Sequence, residues 1–254
     1  MGMVRAVIYE PKDSTSFCFQ AHLLGQLGLP VDQGAAIPLL KRAADYSDVD
    51  TPQPAYILGK LLLGEYSHVE ISPSTLTAYL PPPNASNIEP RLSEARRYIE
   101  RAAYLCFAPA QCKAGWAYEF SKLGCPYDPL LSVQYYSLAS QQGEEDADMA
   151  LSKWFLCGAD GHFEKDEHLA FTFAEKAASK GLPTAEFAMG YYHEVGVGCE
   201  PDVAVARQWY VQVRIHSVTC LDNHGILLGL ETWQLGGIWK INCTQPAKSI
   251  SFIS

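Results

Sequence analysis

The sequence predicts an all-α fold, an α-solenoid in which helix–turn–helix hairpins stack into an α/α superhelix. Three observations predict it. Residues 181–210 read as one complete hairpin, its small and apolar positions recur along the chain about every 37 residues, and 254 residues at 48% hydrophobic content can bury the continuous core that stacking creates.

In the first helix of that hairpin Ala185, Ala188, Met189 and Tyr192 share a face by i, i+3, i+4 and i+7 spacing, with Thr184 the expected cap. Gly196 and Gly198 break the helix. Asp202 is the expected N-cap of the second helix, where Val203, Ala206, Trp209 and Tyr210 form an apolar stripe. So small a hairpin cannot cover its own stripe and requires neighbours of the same kind.

Aligning the second helices places Leu39, Tyr98, Tyr135, Phe173 and Trp209 in one column, and Ala43, Ala102, Ala139, Ala177 and Val213 in another four residues on. Successive members of the latter are 59, 37, 38 and 36 residues apart. Asp32, Asp128, Asp166 and Asp202 precede it as N-caps, Pro129 suits a first helical position, and in the second repeat, where Arg91 stands instead, Ser93 is the expected cap. In the first helices Gly59, Gly115, Ser152 and Gly190 are equivalent. Glycine inside a helix costs about 1 kcal/mol relative to alanine, so a recurrent small residue there predicts close backbone approach.

In chain order, residues 1–20 form an N-terminal segment of weak signal, and residues 21–213 form the solenoid of about five repeats, the first truncated at its front. Pro38 falls inside the second helix of repeat one, where it is expected to kink the helix or shift its start. Residues 66–90, with Pro81-Pro82-Pro83, form a proline-rich insertion within repeat two and account for the long step; Asn84 has glycosylation spacing to Ser86 but no secretory signal to give it meaning. Repeats three to five are regular, with Gly143 and Gly181 suited to helix C-termini. After Val213 the pattern stops, and residues 214–254 are expected to be an atypical tail whose removal from residue 216 leaves the melting temperature unchanged.

A net charge of −9 argues against a nucleic-acid partner, and no apolar run reaches membrane-spanning length. The eight cysteines show no Cys-x-x-Cys spacing and read as reduced structural thiols in a cytoplasmic protein. No catalytic residue, cofactor, metal site or small-molecule substrate is expected. His162, His168 and His193 lack metal-ligand spacing, no Gly-x-Ser-x-Gly occurs, and Glu186, Glu194 and Glu200 are expected on the hairpin's outer face or turn as solvated charges.

The run Met189-Gly190, Gly196-Val197-Gly198, Asp202 and Ala206 to Trp209-Tyr210 resembles the Sel-1-like repeat, a relative of the tetratricopeptide repeat. Residues 108–120, 127–139, 150–159 and 185–192 further resemble fungal chitin synthase regulators, the likeness running from about Leu24 to Gln212. The resemblance implies a non-catalytic adaptor whose partner is a membrane-bound chitin synthase; the alternative is an adaptor for another complex, a degradation or signalling assembly. Some relatives end in a prenylated cysteine box, whereas this chain ends Ser251-Phe-Ile-Ser, so no direct membrane anchor is expected.

Aromatics divide by helix. Tyr98, Tyr135, Phe173 and Trp209 are expected in the core, while Trp116, Tyr118, Trp154, Tyr191 and Tyr192 on first helices are expected to be more exposed and to contact a protein partner.

Overall fold

The computed structural model describes residue 22 and residues 32–66 and 90–224. The N-terminal segment, nearly all of the insertion and the end of the tail lie outside them. Among the described residues are nine helices: α1 (Gln33–Asp45), α2 (Gln53–Leu63), α3 (Pro90–Tyr104), α4 (Ala108–Glu119), α5 (Pro129–Gln141), α6 (Glu145–Cys157), α7 (Glu167–Ala178), α8 (Pro183–Val195) and α9 (Val203–His224). They fall into two compact units, Met1–Ala117 with Ser121–Pro126, and Tyr118–Phe120 with Tyr127–Ser254. The last helix passes Val213, where the repeat pattern ends, and continues to His224.

Second helices start where the aspartates stand. The carboxylates of Asp32, Asp128 and Asp166 each accept the N–H three residues on at 3.0 Å, and Asp202 accepts those of Ala204 and Val205 at 2.8 and 3.1 Å. The same aspartates also close the turn behind them. Their own N–H groups donate to the carbonyls of His22, Tyr118, Phe155 and His193, at 2.9, 3.3, 2.7 and 2.7 Å. Two local expectations change. α8 begins on Pro183 at a first position that needs no N–H so Thr184 is interior, and α3 begins at Pro90, which puts Ser93 inside the helix rather than at its cap. Pro38 lies inside α1, which starts at Gln33 as expected.

In the first unit α2 packs on α1 and α3. Ile37, Leu40 and Ala44 of α1, Ala55, Leu58 and Leu62 of α2, and Ala95, Tyr98, Ile99 and Ala102 of α3 are buried there. The close approach signalled by Gly59 is realised, since a Cβ on it would lie 2.7 Å from Cγ1 of Ile99. In the second unit α6 packs on α5 and α7, and α8 on α7 and α9. Ala174, Ala177 and Ala178 meet Ala185, Met189, Tyr192 and Val197 in its core. Ser152, at the glycine position, donates its hydroxyl to the Ala170 carbonyl at 2.7 Å and so ties α6 to α7.

A basic residue one before the repeating alanine braces each unit. Arg101 reaches the Asp45 and Ser47 carbonyls beyond α1 at 2.8 and 3.0 Å. Lys176 takes the equivalent position and donates to the Ser140 carbonyl at 2.9 Å, while Lys180 donates to Gly143 at 2.8 Å. Cationic side chains thus add hydrogen bonds to carbonyls at and just beyond the helix ends. Both lysines converge on Asp148, whose side chain is fully buried, at 2.8 and 2.7 Å. The Ser140 hydroxyl also donates to it. Burial alone would push this carboxyl up, but the bonds from Lys176, Lys180 and Ser140 outweigh it and hold Asp148 below the ordinary aspartate range.

Candidate protein-binding face

On a first helix, register relative to the small residue decides exposure. The following position, Lys60 or Trp116 in the first unit and Lys153 or Tyr191 in the second, turns about 100° away from the seam and stays partly or fully exposed. Trp116 is half-buried with Lys113 Nζ 3.7 Å from its ring centroid, and Lys113 in turn pairs with Glu65 at 2.9 Å. Tyr56 meets Phe107 edge-on at 5.3 Å, and Lys60 lies over the Tyr56 ring at 5.7 Å. In the second unit Tyr191 is half-buried and packs, as Leu156 does, against the core that holds Met189 and Tyr192.

Two residues past the small position the side chain points into the repeat before it, and the expectation of exposure fails. Trp154 is only 8% exposed, its indole N–H donating to the Ser132 hydroxyl of α5 at 3.1 Å. Tyr192 is 1% exposed, its hydroxyl 2.9 Å from that of Ser152 on α6. Burial pushes the Tyr192 phenol above its usual range, with the Ser152 bond acting against it. Tyr118, three past Gly115, is 7% exposed and stacks on Tyr135 at 5.9 Å. Of the five first-helix aromatics, Trp116 and Tyr191 therefore keep partly accessible surface. In the core column Tyr98 is buried as expected, whereas Tyr135, Phe173 and Trp209 are half-buried, and Tyr136 beside Tyr135 takes the buried place.

Glu186 departs from the solvated reading too, since it is fully buried in the register position of Asp148 and Gln111. Gln111 donates to the Ala103 carbonyl at 3.1 Å, so this position serves packing between repeats. Cys199 lies 3.6 Å from His193 Nδ1, but burial and then Glu200 push its thiol up, the reverse of what an activated nucleophile requires. Among the described residues no group of three His, Cys, Asp or Glu side chains is placed to hold a metal ion.

Hairpins seamed by small residues, with half-exposed rings on their first helices, define a helical-repeat scaffold. A family model described as the Sel1 repeat matches residues 18–45, 108–144, 146–182 and 183–212, and the chain belongs to this family. The α2–α3 hairpin, split by the insertion, lies outside the matched residues yet packs in the same way. Among curated proteins the chain is 36% identical over 178 residues to chitin synthase regulatory factor 4 of Schizosaccharomyces pombe, covering 69% of this chain and 26% of that protein. It is 33% identical over 189 residues to chitin synthase regulator SKT5 of Saccharomyces cerevisiae, covering 73% and 25%. The chain thus spans about a quarter of the length of these relatives. A Sel1 repeat protein from Oxalobacter formigenes shares the fold, with a TM-score of 0.64 at 17% identity over 81% of this chain and 74% of that one.

Proposed function

We propose that the chain is a non-catalytic cytoplasmic adaptor whose repeats hold a membrane-bound chitin synthase and activate or localise it in cell-wall chitin synthesis. The observation that carries this reading is likeness, over more than two thirds of the chain, to proteins named for chitin synthase regulation. The geometry supports an adaptor in a specific way. Trp116 and Tyr191 are rigidly based rings with accessible surface, the kind of anchor that dominates protein interfaces. None of the described helices is long and apolar enough to cross a membrane; on this reading the partner is the membrane-bound member of the pair.

The test is capture of the synthase from detergent-solubilised fungal membranes by the full chain, with synthase activity measured in its presence and absence. Recovery that falls when Trp116 and Tyr191 are replaced by alanine supports the reading and locates the contact. Recovery of a degradation or signalling assembly, with no chitin synthase above background, replaces it with the other Sel1 adaptor role.

A further inference from the structure

The turn between α6 and α7 brings together aromatic rings other than those of Trp116 and Tyr191. Gly158 ends α6 at a φ of +68°, where a Cβ would lie 2.9 Å from the Lys165 nitrogen. Ala159 and Phe163 then form an isolated bridge, exchanging backbone hydrogen bonds of 2.9 and 3.0 Å. With its end tied to Phe155 by Asp166, the turn is held so that the Phe163 ring lies 6.0 Å from that of Trp154 and 6.1 Å from that of Phe155. From the other side Tyr127 brings its ring to 6.4 Å from Trp154 while remaining 44% exposed.

Carboxylates surround this cluster. Glu119 and Asp160 both act on the Tyr127 phenol, which burial first and then these two charges push above its usual range. Asp160 and Glu164 are exposed on the turn. Nearby bases are engaged: Lys165 pairs with Glu167 at 3.0 Å, and the charge of Lys153 acts on Glu119, which accepts the Tyr136 hydroxyl at 2.6 Å.

We propose that the exposed ring of Tyr127 and the half-buried ring of Phe163, both backed by the buried Trp154, with Glu119, Asp160 and Glu164 about them, form a docking seat for a lysine or arginine side chain on a basic segment of a protein partner. A cation is attracted to an aromatic ring within about 6 Å of its centroid, and the carboxylates add an attraction of longer reach that draws in a basic chain and repels an acidic one. The aromatic surface supplies the contact area and the charge selects the occupant. This seat stands whichever protein carries the basic segment, so it does not depend on the chitin synthase reading.

The test is fluorescence anisotropy of a labelled Gly-Arg repeat peptide titrated with the full chain, with the matching Gly-Glu peptide as control. The Gly-Arg peptide binds and the Gly-Glu peptide does not. Affinity falls about threefold to tenfold in Tyr127→Ala, as expected for loss of a cation–ring contact, and stays in Tyr127→Phe. It falls similarly in Asp160→Asn with Glu164→Gln, two exposed changes that leave the circular dichroism spectrum intact. The same charge change at exposed Glu175 and Glu200 has little effect. Undiminished binding by Tyr127→Ala, or an equal loss from the Glu175 and Glu200 pair, would overturn the seat, because attraction to an acidic chain at large would then explain the binding.

Discussion

Gly190 of α8 lies so close beneath the ring of Tyr210 on α9 that a Cβ would stand 2.5 Å from the ring's Cε1. The equivalent pair in the second repeat is Gly59 with Ile99, at 2.7 Å from Cγ1. In the fourth repeat the register pairs Ser152 with Ala174. A bulky second-helix residue therefore goes with glycine, and a small one admits a hydroxymethyl group.

Gly190→Ala is accordingly expected to destabilise the chain by up to about 2 kcal/mol, the overpacking cost of about 1–3 kcal/mol less the roughly 1 kcal/mol helix gain of alanine over glycine. Displacing the ring would also disturb the 2.7 Å bond from its hydroxyl to Glu194. Combining Gly190→Ser with Tyr210→Ala, which copies the fourth repeat, should cost less than the two changes added separately. Urea unfolding of the three variants measures this, and strict additivity would refute the size complementarity.

Two turn glycines separate conformational strain from steric contact. Gly161 has a φ of +76° with nothing within 4 Å, whereas Gly198 has a φ of +66° and a Cβ there would lie 2.3 Å from the Glu167 carbonyl oxygen. Alanine at residue 161 is expected to cost about 1 kcal/mol, the ordinary left-handed penalty. At residue 198 it should cost at least about 2 kcal/mol more, since backbone has to move. Equal losses in thermal unfolding would show that the Gly198 contact relaxes freely.

The Asp148 node gives a signed dependence on pH. A carboxyl held below its unfolded value adds stability that is complete above that value, about 3.9, and is lost as pH falls through the lower folded one. Asp148→Asn should therefore narrow the gap to the native chain as pH drops below about 4, while at pH 7 it is the less stable of the two. Glu119 and Glu144, raised by burial, run in the opposite direction, so the difference between variant and native melting curves isolates Asp148. A difference constant between pH 3 and 7 would refute the assignment.

The first-helix aromatics should divide by register in a single experiment. Trp116→Ala and Tyr191→Ala are expected to weaken partner capture with helicity and melting temperature nearly unchanged, whereas Trp154→Ala, which empties a buried site, should cost about 3–5 kcal/mol. Chemical denaturation beside the capture assay reads both. A large stability loss from Tyr191→Ala would return that residue to the core.

The hairpin, its aspartate caps and its small-residue seam were legible because each is a short-range pattern: an aspartate ahead of a helix, or a glycine where helical periodicity favours alanine. Exposure of the aromatics was harder to read. Trp154 and Tyr191 are both first-helix rings, and only their offset from Ser152 and Gly190 separates buried from half-exposed. The polar interior was least legible. Asp148 and Glu186 carry the formal charge of surface residues, and the partners that make burial of Asp148 tolerable, Lys176 of α7 and Lys180 in the turn after it, come some thirty residues on. Arg101 reaches still further, to carbonyls 56 and 54 residues back. No local pattern announces such pairings.

The backbone bond from Asp128, Asp166 or Asp202 to the end of the preceding first helix closes the turn between two fixed atoms, over intervals of nine to eleven residues. Inside that closure Val197 and Gly198 still meet the core and α7, whereas Asp160, His162 and Glu164 are exposed. Substitutions at those three positions reshape the outer surface of the turn while the helices keep their places. At these positions the outward surface of the turn and the stack behind it vary independently.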